Sequence, residues 1–379
     1  MEKVKNPFKY GSAVEGEYYF PLPAFSKNVR AYLDNRINVV LYGPRRFGKT
    51  SFLLDLMKEQ SREGKACLLI DIFNITSHKD FLRQVLRAIK SKQNFGHKFK
   101  DALEKLAKLK LIPAMDVDPS TGQPSFSIQT DFSSEKDIRE LIQDAFMAIG
   151  KLDDSVLVII DEFQKVSQIE DGGWLEGTIR QQMQELKNTV FLFSGSRKSI
   201  IYDMLNNQSG PFYKTCQAVD IPILGDDFTD WVMDRFNTIG ISCDKRAITE
   251  LRKRVHNTPN YIQQVCFHLI AENPEIKHVN LESIEQILHK IVKQNAYAFE
   301  TLLNSLTTLQ GRVLRLCANE PTAIYSQELI QRYEINSGPA LATSIKSLKS
   351  KGILESSSSK GQVIFDDPLF QIWLQKECS

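Results

Sequence analysis

The apolar run INVVLY at 37–42 stops at GPRRFGKTS, 43–51, which matches G-x-x-x-x-G-K-[ST] at every fixed position. Few features constrain a fold more, because the match demands a strand that halts in a glycine-flanked loop and turns into a helix. Phe52, Leu53, Leu56 and Met57 continue it at helical spacing. Such a turn aims backbone N–H groups and the positive end of a helix dipole at one spot, where a polyphosphate fits. The candidate binding residues are Gly43, Pro44, Arg45, Arg46, Phe47, Gly48, Lys49, Thr50 and Ser51. Lys49 is expected to reach the β- and γ-phosphates as a point charge, and the Thr50 hydroxyl to ligate the magnesium ion that screens them. A chance glycine turn with a solvated lysine would need neither the complete match nor the flanking pattern.

Hydrolysis also requires a carboxylate to hold the metal and a group to position water. In SVLVIIDEFQKV the apolar residues 156–160 read as a fully buried parallel strand, with Asp161 and Glu162 at its end. Carboxylates at that edge lie in the crevice where open α/β sheets bind ligands. Asp161 is expected to hold magnesium, directly or through water, and Glu162 to orient or deprotonate the attacking water. A third apolar strand, 189–193, ends in SGSRK. There Ser194 or Ser196 is a candidate sensor and Arg197 a candidate γ-phosphate ligand, although Ser-Gly-Ser also makes an ordinary loop.

With 42% hydrophobic and 25% charged residues, the 379-residue chain suits a soluble protein of two or three domains. No apolar stretch reads as a membrane span or signal peptide, so no membrane role and a cytoplasmic location are expected. Six scattered cysteines include no C-x-x-C pair, and the histidines show no ligand spacing, so neither disulfides nor zinc are expected. His256 and His268 read as structural residues.

Strand patterns at 37–42, 66–72, 155–160, 189–193 and 217–222 alternate with helical ones, the signature of an α/β fold with a parallel sheet and helices on both faces. Residues 92–135 look like an insertion: a helical pattern, KFKDALEKLAKLKLI, then the turn-rich DVDPSTGQPSFSIQTDFSS. Residues 77–115 hold ten Lys/Arg against three Asp/Glu, a surface for nucleic acid or a partner or, more commonly, a solvated helix face. Strand patterns vanish after Leu224, and 226–302 reads as four helices ending in the long LESIEQILHKIVKQNAYAFETLL. Three short helices and two strands then spell a winged helix-turn-helix at 303–379. Its third helix is expected to turn Leu341, Ile345 and Leu348 inward and Thr343, Lys346, Ser347 and Ser350 outward. Eight Lys/Arg against seven Asp/Glu in this module, with only Lys360 in the wing, make tight DNA binding a weak expectation beside regulation or protein docking.

Together GPRRFGKTS, VLVIIDEFQ, FSGSR, NTPNYIQQV and DDPLFQIWL make the chain resemble the prokaryotic, archaeal-type P-loop ATPases of the AAA+/STAND group. The resemblance spans nearly the whole chain. It implies an N-terminal adenine-side segment at 1–35, an ATPase core at 36–224, a helical lid at 225–302 and the winged helix at 303–379. By this resemblance residues 7–20 line a base pocket, and Pro259 and Tyr261 close over the nucleotide. ATP rather than GTP is implied, consistent with the lack of an N-K-x-D motif. The chain departs from the group in lacking an arginine after the N-terminal segment until Arg30. It also has only Lys214 where ring-forming members place an arginine finger, a role left to Arg180 or Arg197. The expectation is an Mg-dependent ATPase acting as a nucleotide-dependent switch on an unidentified protein partner, with self-association left open. The alternative is a nucleotide-gated DNA-binding or adaptor protein with negligible hydrolysis.

Overall fold

Strands buried on both faces need uninterrupted apolar runs, and the chain supplies them to four strands of one five-stranded sheet. The computed structural model describes residues 5–91, 111–117, 124–130, 134–196, 204–208, 210–356 and 362–377. Two compact units divide it: Pro21–Gly43 with Lys49–Pro222, and Met1–Phe20 with Pro44–Gly48 and Ile223–Ser379.

The first unit runs α1 (Pro23–Asp34), β1 (Val39–Tyr42), α2 (Lys49–Arg62), β2 (Ala66–Asp71), α3 (His78–Lys90), β3 (Leu111–Val117), β4 (Pro124–Thr130), α4 (Glu135–Ile149), β5 (Val156–Asp161), α5 (Gly172–Glu185), β6 (Thr189–Gly195) and β7 (Gln217–Asp220). The sheet order is β2-β5-β6-β1-β7, parallel throughout. Register aligns the carboxyl ends: Asp71 stands opposite Asp161, and Tyr42 opposite both Gly195 and Asp220. One face packs Leu68, Ile70, Val158, Ile160, Phe191 and Phe193 against apolar residues of α3, α4 and α5. Alternate residues Cys67, Leu157, Ile159 and Leu192 are buried on the other face, where α1 meets β1 and Phe25 of α1 packs on Phe52 of α2. Ser77 and Ser134 cap α3 and α4 through the N–H groups of Asp80 and Asp137.

All five expected strands are present, the first starting at Val39 because Ile37 is exposed. Within the 92–135 segment two residues depart from the helical reading. Leu111 and Ile112, assigned to the end of a helical pattern, open β3, which pairs antiparallel with β4 across the turn-rich stretch. Lys100, Lys105 and Lys108 of the basic segment lie outside the described residues.

The second unit contains α6 (Asp226–Asn237), β8 (Ser242–Cys243), α7 (Lys245–Arg254), α8 (Pro259–Glu272), β9 (His278–Val279), α9 (Leu281–Gln294), α10 (Ala296–Asn304), α11 (Thr308–Asn319), α12 (Gln327–Arg332), α13 (Gly338–Ser350), β10 (Leu354–Ser356), β11 (Val363–Phe365) and α14 (Pro368–Glu377). Residues 226–302 thus hold more helices than the four expected, because the long pattern breaks at Asn295, whose side-chain amide donates to Ile291 O at 2.8 Å. Strands do not vanish after Leu224 either: β8 and β9 form a two-residue parallel bridge. The C-terminal module has the winged-helix order, with β10 and β11 antiparallel, and adds α14, whose Phe370 and Trp373 pack on Phe299. On α13, Leu341, Ile345 and Leu348 are buried as expected, and Thr343, Lys346 and Ser350 are exposed. Ser347 departs from that reading, since it is half-buried and accepts a hydrogen bond from Gln310 Nε2 at 3.0 Å. Lys360 lies outside the described residues. No described helix is long and apolar enough to cross a membrane.

Candidate active site

The loop after β1 is shaped by space and by backbone conformation. A Cβ on Gly43 would meet Ile221 Cγ2 at 2.3 Å, so any side chain there would have to displace Ile221. Gly48 has φ +84°, the left-handed region that glycine enters without cost, and Arg46 sits at φ +65°. Lys49 and Thr50 then open α2. The Lys49 side chain is buried and donates from Nζ to the Gly43 carbonyl at 2.8 Å, a hold that keeps the ammonium folded back along its own loop.

The end of β5 lies beside the start of α2. Thr50 Oγ1 donates to Asp161 Oδ2 at 2.9 Å, although 111 residues separate them in sequence. Magnesium favours hard oxygen donors and keeps several waters, so one hydroxyl and one carboxylate are a fitting protein contribution to its site. The other Asp161 oxygen accepts the Glu162 N–H at 2.9 Å. Glu162 adopts the left-handed conformation, φ 59° and ψ 38°, unusual outside glycine and concentrated at functional sites. Its Oε2 accepts from Ser196 Oγ at 3.0 Å and from Gln164 Nε2. Ser194 points elsewhere: it is fully buried, and its hydroxyl finds no partner among the described residues. Of the two serines weighed from sequence, Ser196 is therefore the one that reaches the acidic pair. Arg197 lies outside the described residues, Arg180 lies within α5, and Lys214 stacks over the Tyr213 ring at 5.2 Å.

The second unit gathers residues from four distant stretches. The segment 5–20 is strapped to α8: Gly11 N–H donates to Asn260 Oδ1 at 2.9 Å, Lys9 N–H to Gln263 Oε1 at 3.3 Å, and Asn6 Nδ2 to Phe267 O at 3.0 Å. Tyr10 Oη pairs with His268 Nε2 at 2.9 Å, and Phe8 and Phe20 pack on Phe236 and Phe228 of α6. Pro259 occupies the first turn of α8, where its missing N–H costs nothing. Arg46 lies over the Tyr261 ring at 4.9 Å and donates to the Tyr261 hydroxyl and to Asp367 Oδ2, the latter at 3.2 Å. Arg45 and Asp366 form a parallel pair at 4.0 Å. Burial pushes the Tyr261 hydroxyl well above its ordinary range, and the Asp367 carboxylate pushes the same way, so it stays a neutral donor and acceptor.

Sequence reasoning missed Gln164, Asp366 and Asp367 as site residues. The DDPLFQIWL motif was visible as a pattern, but nothing in spacing could tell that its carboxylates face arginines 321 residues away.

A family model for an ATPase domain predominantly from Archaea matches residues 28–265, and a winged helix domain model matches 297–376. No curated protein matches. Among solved structures, a Walker-type ATPase of Pyrococcus abyssi is similar with a TM-score of 0.65 at 16% identity, covering 95% of this chain and 97% of that one. The ORC2 protein of Aeropyrum pernix in ADPNP-ADP complexes aligns with a TM-score of 0.54 at 14% identity, covering 94% and 93% of the two chains. Its ADP form gives 0.52 at 13%, over 96% and 97%. Identities this low speak to the fold alone, whereas the family model covers more than half of the chain: it belongs to the family of ATPase domains found predominantly in Archaea, followed here by a winged helix domain.

Proposed function

We propose that the chain hydrolyses ATP to ADP and phosphate with magnesium and uses the cycle as a molecular switch. The observation that carries this reading is the 2.9 Å contact between Thr50 and Asp161, with Glu162 next in sequence and gripped at the same strand edge. Bound magnesium would screen the phosphate charge and polarise the transferred phosphoryl group. Thr50 and Asp161 are the protein groups suited to hold it. Lys49, released from the Gly43 carbonyl, would turn to the β- and γ-phosphates, and Glu162 would orient the attacking water or take its proton. Ser196 supports the sensor role better than Ser194, and Arg197 is retained as a candidate γ-phosphate ligand. ATP is favoured by the family, and the ORC2 relative solved with ADPNP and ADP agrees with an adenine nucleotide.

The proposed division is an N-terminal segment at 1–35, a core at 36–224, a lid at 225–302 and a winged helix at 303–379. Pro259 and Tyr261 would contribute to the nucleotide site, with Tyr261 sensing phosphate-loop occupancy through Arg46. The near-neutral charge of the C-terminal module favours a protein partner over DNA as the output. The test is steady-state ATP turnover by wild type, Lys49→Ala and Glu162→Gln, each alongside nucleotide affinity. Lys49→Ala is expected to lose binding and turnover together. Glu162→Gln is expected to bind ATP normally while turnover falls by about 10²-fold or more, the usual contribution of a positioned base. Wild-type turnover no greater than that of Lys49→Ala would refute the enzyme reading and leave a nucleotide-gated adaptor.

A further inference from the structure

We propose that Gln164 is a positioning residue that, with Ser196, holds one oxygen of Glu162 and so leaves the other aimed for the attacking water. This rests on the ATPase reading of the site. Gln164 is 2% exposed, and its amide nitrogen donates both to Glu162 Oε2 and to Ser196 Oγ, the latter at 3.3 Å. Ser196, 1% exposed, donates to the same carboxylate oxygen at 3.0 Å. One oxygen thus collects two donors, and among the described residues no hydrogen bond reaches Oε1. A carboxylate so gripped has lost the rotation about its last bond that would otherwise smear its basic lone pairs, which is how a supporting shell preorganises a base.

Three further observations separate this from ordinary core packing. Gln164 Oε1 is buried with no partner among the described residues, an unsatisfied group that packing alone does not call for. Among the described residues only the donor end is used, and it is used on Glu162 and on the serine that grips Glu162 with it. The backbone around it is also over-determined. Glu162 sits at φ 59°, the 3-10 turn at Phe163–Gln168 is pinned by Phe163 against Phe193 at 4.3 Å, and a Cβ on Gly172 would strike Val166 O at 2.1 Å. Finally, the grip has one side. The donors to Glu162 come from the turn itself, through Gln164, and from Ser196, the residue that follows β6.

The experiment uses the full chain with Gln164→Met, which keeps the side-chain volume and removes the donor, and Ser196→Ala. Melting temperature, ATP affinity, KM and kcat are measured for each, alone and combined with Glu162→Gln. Each single change is expected to lower kcat about tenfold or more, with KM and ATP affinity within about twofold and the melting temperature nearly unchanged. In the Glu162→Gln background Gln164→Met should have no further effect on turnover, because the group it positions is gone. A Gln164→Met protein with wild-type kcat overturns the proposal, and so does an equal fractional loss with and without Glu162. Lys49-dependent turnover in wild type with an indifferent Gln164 sinks this inference alone. Absence of Lys49-dependent turnover sinks the ATPase reading and this inference with it.

Discussion

The tightest point of the phosphate loop is Gly43, and adding one methyl group there tests how the loop is set. Gly43 has no positive φ, so its requirement is space rather than backbone freedom. The new Cβ would lie 2.3 Å from Ile221 Cγ2 and 3.4 Å from Ile221 Cβ. Carbon atoms pack at about 3.5–4.0 Å, so the overlap exceeds about 1 Å. Ile221 has little room to yield. It is buried, its N–H is tied to the Tyr42 carbonyl at 2.9 Å, and a β-branched side chain has few χ1 wells to move between. Overpacking of this kind costs about 1–3 kcal/mol. Ile221→Ala removes the offending methyl and by itself costs about 2–5 kcal/mol for the lost packing. The double variant should therefore be less destabilised than the sum of the singles, by about 1–3 kcal/mol. Urea unfolding of the four proteins, followed by tryptophan fluorescence, gives the cycle. Because the Gly43 carbonyl also receives Lys49 Nζ, Gly43→Ala should weaken nucleotide affinity, and Ile221→Ala should restore part of it. Additivity within about 0.5 kcal/mol would refute the steric account.

Arg252 is nearly buried and donates to Thr229 Oγ1 at 2.7 Å, Asn257 Oδ1 at 3.1 Å and the Leu224 carbonyl, so Arg252→Ala should cost about 3 kcal/mol or more in thermal unfolding. Arg252→Lys should recover little of it, because an ammonium cannot span that fork of acceptors. Burial pushes the His256 imidazole below its ordinary 6.5, while hydrogen bonds to Gln371 and the Phe365 backbone work against the shift. The unfolded chain then binds this proton more readily than the folded one. The contribution is complete above the unfolded value and is lost as pH falls through the lowered folded value. Urea midpoints at about pH 7.5 and about pH 5 should therefore differ more for wild type than for His256→Asn, a side chain that tolerates the φ of 50° found there.

Much of the first unit was legible because its signals are local. The apolar runs behind β1, β5 and β6 state their own burial, and INVVLYGPRRFGKTS carries its strand, loop and helix start within fifteen residues. Asp161 and Glu162 could be placed at a sheet edge for the same reason. What escaped depends on partners far away in sequence. Whether Ser194 or Ser196 faces the acidic pair is set by where β6 ends, since Ser194 lies buried within the strand and Ser196 follows its last residue, Gly195. Gln164 reads as a polar residue after a strand, and only the turn that buries it reveals its two acceptors. The break at Asn295 was invisible because both flanking segments share good helical periodicity, and the interruption comes from one side-chain amide competing for backbone.

The pairing of Arg45 and Arg46 with Asp366 and Asp367 also has a history within the life of each molecule. The Arg46–Asp367 contact spans 321 residues. At the usual synthesis rates of about 5–20 residues per second, the arginines leave the ribosome roughly 15–60 seconds before their carboxylates exist. A nascent chain therefore carries Arg45 and Arg46 without these two carboxylate partners. It meets nucleotide, and any other polyanion, on different electrostatic terms from the finished protein, and the two aspartates are what bring that interval to an end.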